Sequence, residues 1–159
     1  MNTPEKSANT TWLLDTNIAS HIIKGDLPRV RERLQAVPMH AVAISVVTQA
    51  ELLYGVAKRG HPPGLSARVR EFLIRVQVFP WTSDVAEVYA ELRAACEAGG
   101  VPLAPMDMLI VAHATALDRA AATSNDAVIL VTHDRAFRGV PGALRVEDWT
   151  ESEPSSGTC

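Results

Sequence analysis

Cysteine, aromatic residues, lysine and long apolar runs are all scarce in this chain, and each shortage removes a class of protein. Of the two cysteines, Cys96 falls within a helical pattern and Cys159 is the last residue. Neither a disulfide framework nor a thiolate metal centre is therefore expected. No apolar stretch approaches the roughly 18 residues that cross a bilayer, and residues 1–11 are polar, without the hydrophobic core of a signal peptide. A cytoplasmic protein without membrane contact is the expectation. Only three lysines occur, none after Lys58, against twelve arginines. There is no Gly-x-x-x-x-Gly-Lys loop to cradle a nucleoside triphosphate. Ser45 has no Gly-x-Ser-x-Gly setting to make it a nucleophile.

What the chain does contain is enough for one domain: 159 residues, 47% of them hydrophobic, long enough to bury a core without metal or disulfides. β-rich apolar runs at 11–14, 41–45, 78–81, 128–131 and 144–146 predict short buried strands. Helical periodicity predicts a helix carrying Ile18, Ile22 and Ile23 before Gly25, then helices over 29–36, 46–59, 65–76 and 82–98. Pro105 starts a further helix near Met106, with Leu109, Ile110, His113, Ala114 and Leu117 at helical spacing. A polar, alanine-rich connection is expected over 118–126. Strands alternating with helices predict an α/β fold around a mostly parallel central sheet of four to five strands. Residues 12–149 are expected to form the domain, with a 1–11 extension and a disordered 150–159 tail.

The acids carry the chemical argument. Ligands of parallel sheets collect at the carboxyl ends of the strands. Asp15 ends the first predicted strand, Glu51 lies in the helix after the second, Asp107 opens the helix leading to the fourth, and Asp134 lies just past that strand. Each has a plainer reading alone. Asp107 complements a helix dipole, and Thr48 to Glu51 has capping-box spacing. Together, four carboxylates on one rim would repel strongly unless neutralised. Divalent cations are the natural remedy, and an all-oxygen set selects hard ions, Mg²⁺ with Mn²⁺ as substitute, rather than zinc. Asp126 is expected far from this rim, about 16 Å away along the strand, and Asp118 fails similarly, eleven residues along a helix from Asp107 at about 1.5 Å per residue. His113 and His133 read as a core and a rim histidine. The formal charge of −3 would move to about +1 with two such ions bound, so it does not argue against nucleic acid. The arginines at 29, 31 and 33 read as a solvated helix face or as phosphate contacts.

The segments LLDTNI, SVVTQAELLYGVAKR, PLAPMDMLIVAHA and LVTHDRAFRGVPG, with VEDW near the end, resemble the PIN domain, specifically the VapC-type toxin ribonucleases of type II toxin–antitoxin systems. The resemblance covers Trp12 to Trp149 and implies a three-layer α/β/α PIN-like fold. It also implies a Mg²⁺-dependent endoribonuclease acting on structured or translation-related RNA, a homodimer, and inhibition by a cognate antitoxin. In that pattern Asp15, Glu51, Asp107 and Asp134 match the four metal-binding and catalytic acids, while Asn17 and Thr132 match flanking polar residues, Asn17 by hydrogen bonding. The fourth acid is often Asn in the family. The 118–126 connection, the N-terminal extension and the tail beyond Trp149 depart from the pattern. Two rival readings are an inactive PIN scaffold that binds RNA or a partner, and a receiver-like signalling domain. The second usually requires a late lysine, which is absent here.

Overall fold

In the computed structural model, which describes residues 8–151, the elements run β1 Thr10–Leu14, α1 Thr16–Lys24, α2 Pro28–Gln35, β2 Val42–Ser45, α3 Val46–Lys58, α4 Pro63–Arg75, β3 Gln77–Phe79, α5 Ser83–Ala98, α6 Pro105–Ala122, β4 Ala127–Val131 and β5 Arg145–Glu147. The five strands form one sheet in the order β3-β2-β1-β4-β5. Every pairing is parallel, with Leu14 beside Ile44 on one side and Val131 on the other.

Alternation along the strands divides the core in two. Leu14, Val42, Ile44 and Val131 face Ile18, Val30, Leu52, Val56, Val69 and Phe72, so α1 to α4 cover one face. Leu13, Ala43, Val128 and Leu130 face Leu92, Cys96, Met108, Ile110 and Phe137, so α5 and α6 cover the other. Three layers result. Because β1 is central and the chain leaves it in both directions, the ends of β1, β2 and β4 adjoin at the rim where the order reverses.

Local chemistry sets the boundaries. Gly25 ends α1 at φ 67°, accepting the left-handed conformation a side chain would resist. Pro28, Pro63 and Pro105 open α2, α4 and α6 at the position where their missing N–H is not needed.

Several expectations are corrected. Helix α6 continues through Ala122, because the alanines of 118–122 sustain helix and Asp118 turns its carboxylate back to the Val128 amide at 2.9 Å. The expected 118–126 connection thus shrinks to residues 123–126. Thr48 does not cap α3. Ser45 does, accepting from the Val47 amide at 3.0 Å, and Thr48 lies buried inside the helix. Thr82, predicted as the first residue of its helix, instead precedes α5 and makes no side-chain cap.

The arginines of α2 have structural partners: Arg29 with Glu32, Arg31 on the Gly25 carbonyl and Arg33 on Glu147. Thr10 and Thr11 already belong to β1. Thr150 donates its amide and hydroxyl to Asp148, so the ordered chain runs past Trp149; residues 1–7 and 152–159 of the expected extension and tail lie outside the described residues. Among the described residues no helix is long and apolar enough to cross a membrane.

Candidate active site

Asp15 is where β1 stops. Its amide donates to the Val131 carbonyl at 3.0 Å, continuing the sheet by one bond, while its side chain turns to cap α1 through the Ile18 amide at 2.9 Å. That double duty buries it to 3% exposure. Burial is the chief reason its pKa is pushed up to about 6 from 3.8, and the negative charges of Asp107 and Asp134 raise it further. The Thr132 hydroxyl and the Ile18 amide hold the charged form and pull the other way.

Asp107, in the first turn of α6, is also raised, first by burial and then by the charges of Asp134 and Glu51. Asp134 caps a 3-10 turn over Arg135–Gly139. Its carboxylate accepts from the Ala136 amide at 2.9 Å, and its own amide donates to Thr132 Oγ1 at 3.1 Å. Glu51, in the second turn of α3, accepts from Thr16 Oγ1 at 2.6 Å. The four acids singled out from the sequence thus share one electrostatic neighbourhood. Asp15 feels Asp107 and Asp134, and Asp107 feels Asp134 and Glu51.

Asp126 and Asp118 stay at the other end of the strands, on the Asn9 and Val128 amides. His113 is wholly buried, its Nδ1 at 2.7 Å from Ser45 Oγ and its pKa lowered by burial. His133 lies on the rim beside Asp148, 2.8 Å away, and Thr150. Thr132 hydrogen-bonds the Asp15 carboxyl and accepts from the Asp134 amide. Asn17 is exposed, with no side-chain hydrogen bond among the described residues, whereas Thr16 beside it turns inward to Glu51.

Two residues escaped sequence reasoning, Thr16 and Thr48, whose hydroxyl oxygens lie 3.2 Å apart beside Glu51. The signal was thin: Thr16 follows Asp15, and Thr48 stands three residues before Glu51, where it looked like a cap. A groove of about 380 Å³ runs from Thr16 and Glu51 between α1, α3 and α4, with Lys24, Arg59 and Arg68 along it.

Among the described residues no three His, Cys, Asp or Glu side chains close into a preformed ligand cage, and none of the four acids pairs with a basic side chain. The donors nonetheless fit a hard divalent cation. All are oxygens on one rim, and Asp15 and Asp107 are raised first by burial and then by neighbouring carboxylates, a cost to their charged forms that a cation would offset.

Comparison with known proteins agrees with this architecture. The family model described as the PIN domain matches residues 12–143. The tRNA(fMet)-specific endonuclease VapC of Shigella flexneri is 33% identical over 139 residues, covering 87% of this chain and 98% of the relative. Ribonuclease VapC2 of Haemophilus influenzae is 30% identical over 141 residues, covering 87% and 97%. Among solved structures, DNA-bound VapBC from Salmonella typhimurium matches with a TM-score of 0.75 and 30% identity, over 88% of this chain and 98% of that one. VapBC2 from Rickettsia felis, bound to a DNA fragment from its promoter, matches with a TM-score of 0.76 and 28% identity, over 87% and 98%. With the family match spanning residues 12–143 and the fold in agreement with solved relatives, the chain belongs to the PIN-domain family, among the VapC toxin ribonucleases.

Proposed function

We propose that this protein is a Mg²⁺-dependent endoribonuclease, the toxin of a toxin–antitoxin pair, and that Asp15, Glu51, Asp107 and Asp134 are its metal-binding and catalytic residues. The observation that carries this reading is the uncompensated cluster around Asp15, a nearly buried carboxyl raised to about 6 with two further carboxylates acting on it. Such a group is poorly stabilised as an anion on its own at neutral pH. It becomes well stabilised beside a cation.

Asp15 and Asp107 would hold the ion directly, with Glu51 and Asp134 contributing directly or through water. When bound, Mg²⁺ supplies activation of water at neutral pH and stabilisation of the charge that builds on a phosphodiester. The chain's own groups do the rest. Thr132 and the Ile18 amide fix the Asp15 carboxylate, so its orientation is set before substrate arrives. Lys24, Arg59 and Arg68 give the adjoining groove positive charge for RNA phosphates.

Two relatives are named tRNA(fMet)-specific endonucleases, which supports initiator tRNA as the first substrate to try. The solved relatives include VapBC complexes, which supports a cognate antitoxin as partner. A homodimer is implied by the family resemblance, and the exposed Leu53 and Tyr54 on α3 are apolar surface it could cover.

The test is cleavage of initiator tRNA by the purified chain. Activity should require Mg²⁺ or Mn²⁺, vanish with chelator, and fall at least about 100-fold in Asp15→Asn and Asp107→Asn. Full activity in chelator, or in Asp15→Asn, overturns the reading. A metal-binding protein that cleaves no RNA would instead be a binding scaffold.

A further inference from the structure

We infer that Thr48 and Thr16 form a one-way hydrogen-bond relay that positions Glu51 against α1, making both threonines positioning residues of the site. The inference rests on the nuclease reading above.

The direction follows from proton counting. Thr16 Oγ1 donates to Glu51 Oε1 at 2.6 Å, and an ionised carboxylate can only accept. Thr16 has one hydroxyl proton, so that bond uses it. Its oxygen has only lone pairs to offer Thr48 Oγ1, 3.2 Å away. Thr48 is therefore the donor of the pair, and each bond polarises the next towards the carboxylate.

Placement gives the relay its effect. Thr48 and Glu51 stand three residues apart on one face of α3, and Thr16 opens α1 immediately after Asp15 caps it. The bonds run from α3 to α1 and back to α3, tying the side chain of one proposed ligand to the helix that another caps. Thr48 is completely buried, and among the described residues its hydroxyl makes no other hydrogen bond. A hydroxyl in a core position without a carboxylate to serve would be better replaced by a methyl group. Glutamate otherwise loses several rotors when it engages an ion. With Oε1 already held by Thr16, much of that ordering is complete beforehand.

The experiment uses the full chain, initiator tRNA cleavage, Mn²⁺ titration calorimetry and thermal unfolding. Thr16→Val should lower kcat by about 10- to 100-fold, the range for a lost hydrogen bond to a charged acceptor, with KM changed less than about twofold. It should weaken Mn²⁺ binding by about tenfold. Thr16→Ser keeps the hydroxyl and should recover both to within about threefold. Thr48→Val should lose less, and the double valine variant should be no worse than Thr16→Val, because Thr48 reaches Glu51 only through Thr16.

Unchanged kcat and Mn²⁺ affinity in Thr16→Val overturns the relay, as does an additive double variant. If Thr16→Val fails to fold, Thr48→Val against Thr48→Ser carries the same comparison: a kcat and Mn²⁺ loss restored by serine supports the relay, and no difference between them overturns it. Asp15→Asn separates the two readings. If it is inactive while Thr16→Val matches the wild type, only the relay is wrong; if it cleaves normally, the nuclease assignment itself is wrong.

Discussion

At the scale of the residue, Asp15 shows how position changes the meaning of a carboxyl group. The same side chain that caps α1 is nearly sealed from water and faces two like charges, so its proton is held to about pH 6. The consequence for stability has a definite sign. The folded pKa exceeds the unfolded 3.8, so between these values the native state binds more protons. This contribution is fully present below about pH 4 and is lost as pH rises through about 6, amounting to about 3 kcal/mol as an upper estimate. Metal-free Asp15→Asn should therefore melt higher than the metal-free wild type at pH 7.5. The order should reverse towards the wild type as Mn²⁺ is added, since only the carboxylate gains from the ion. Thermal unfolding with and without Mn²⁺ checks it; a variant less stable than the metal-free wild type at pH 7.5 would count against the burial cost assigned to Asp15.

At the scale of the element, helix ends decide which side chains reach the rim. Ser45 ends β2 and caps α3 through the Val47 amide, and the same oxygen meets the buried His113 of α6 at 2.7 Å. Trp81 stands edge-on to that imidazole, with ring centroids 5.6 Å apart. Ser45→Ala removes a cap and leaves His113 Nδ1 without its partner, at a cost of about 2 kcal/mol. Denaturant unfolding should register that loss as a lower midpoint with an unchanged slope. Glycine at the same position should do no better, because it restores neither bond.

The helices also show where sequence reading worked and where it misled. Periodicity alone indicated α5 and the apolar face of α6, and Pro105 fixed the start of α6 and hence the place of Asp107 in its first turn. The far end of α6 is not legible locally, because Asp118 and the alanines that follow resemble a polar linker, and only the bond from the Val128 amide to Asp118 marks them as helix. Thr48 is a similar case. Capping-box spacing describes a local pattern, whereas the actual partner of Glu51 is Thr16, 35 positions away.

At the scale of the whole molecule, the central position of β1 brings Asp15 beside the ends of β2 and β4, and the C-terminal strand closes that side. Trp149, two residues past β5, is fully buried in the core beneath α1 and α2. Its indole donates to Glu147, which Arg33 of α2 also reaches. One short segment thus fastens β5 and α2 together. Trp149→Ala should cost about 3–5 kcal/mol, readable as a large drop in melting temperature. Trp149→Phe should recover much of the packing but not the bond to Glu147. A melting temperature unchanged in the alanine variant would mean that the strand end contributes little to the fold.

The sequence by itself determined that the chain alternates strand and helix around a mostly parallel sheet, and that four acids fall near strand ends and in the early turns of helices. Those are properties of periodicity and of residues that start or stop elements, which neighbours along the chain are enough to express. Tertiary structure decided which of the four is buried, which charges it feels, that Thr16 rather than Asn17 faces the site, and that Thr48 serves Glu51 instead of capping a helix. These depend on contacts between segments tens of residues apart, and on the loss of water around them, which no local pattern encodes.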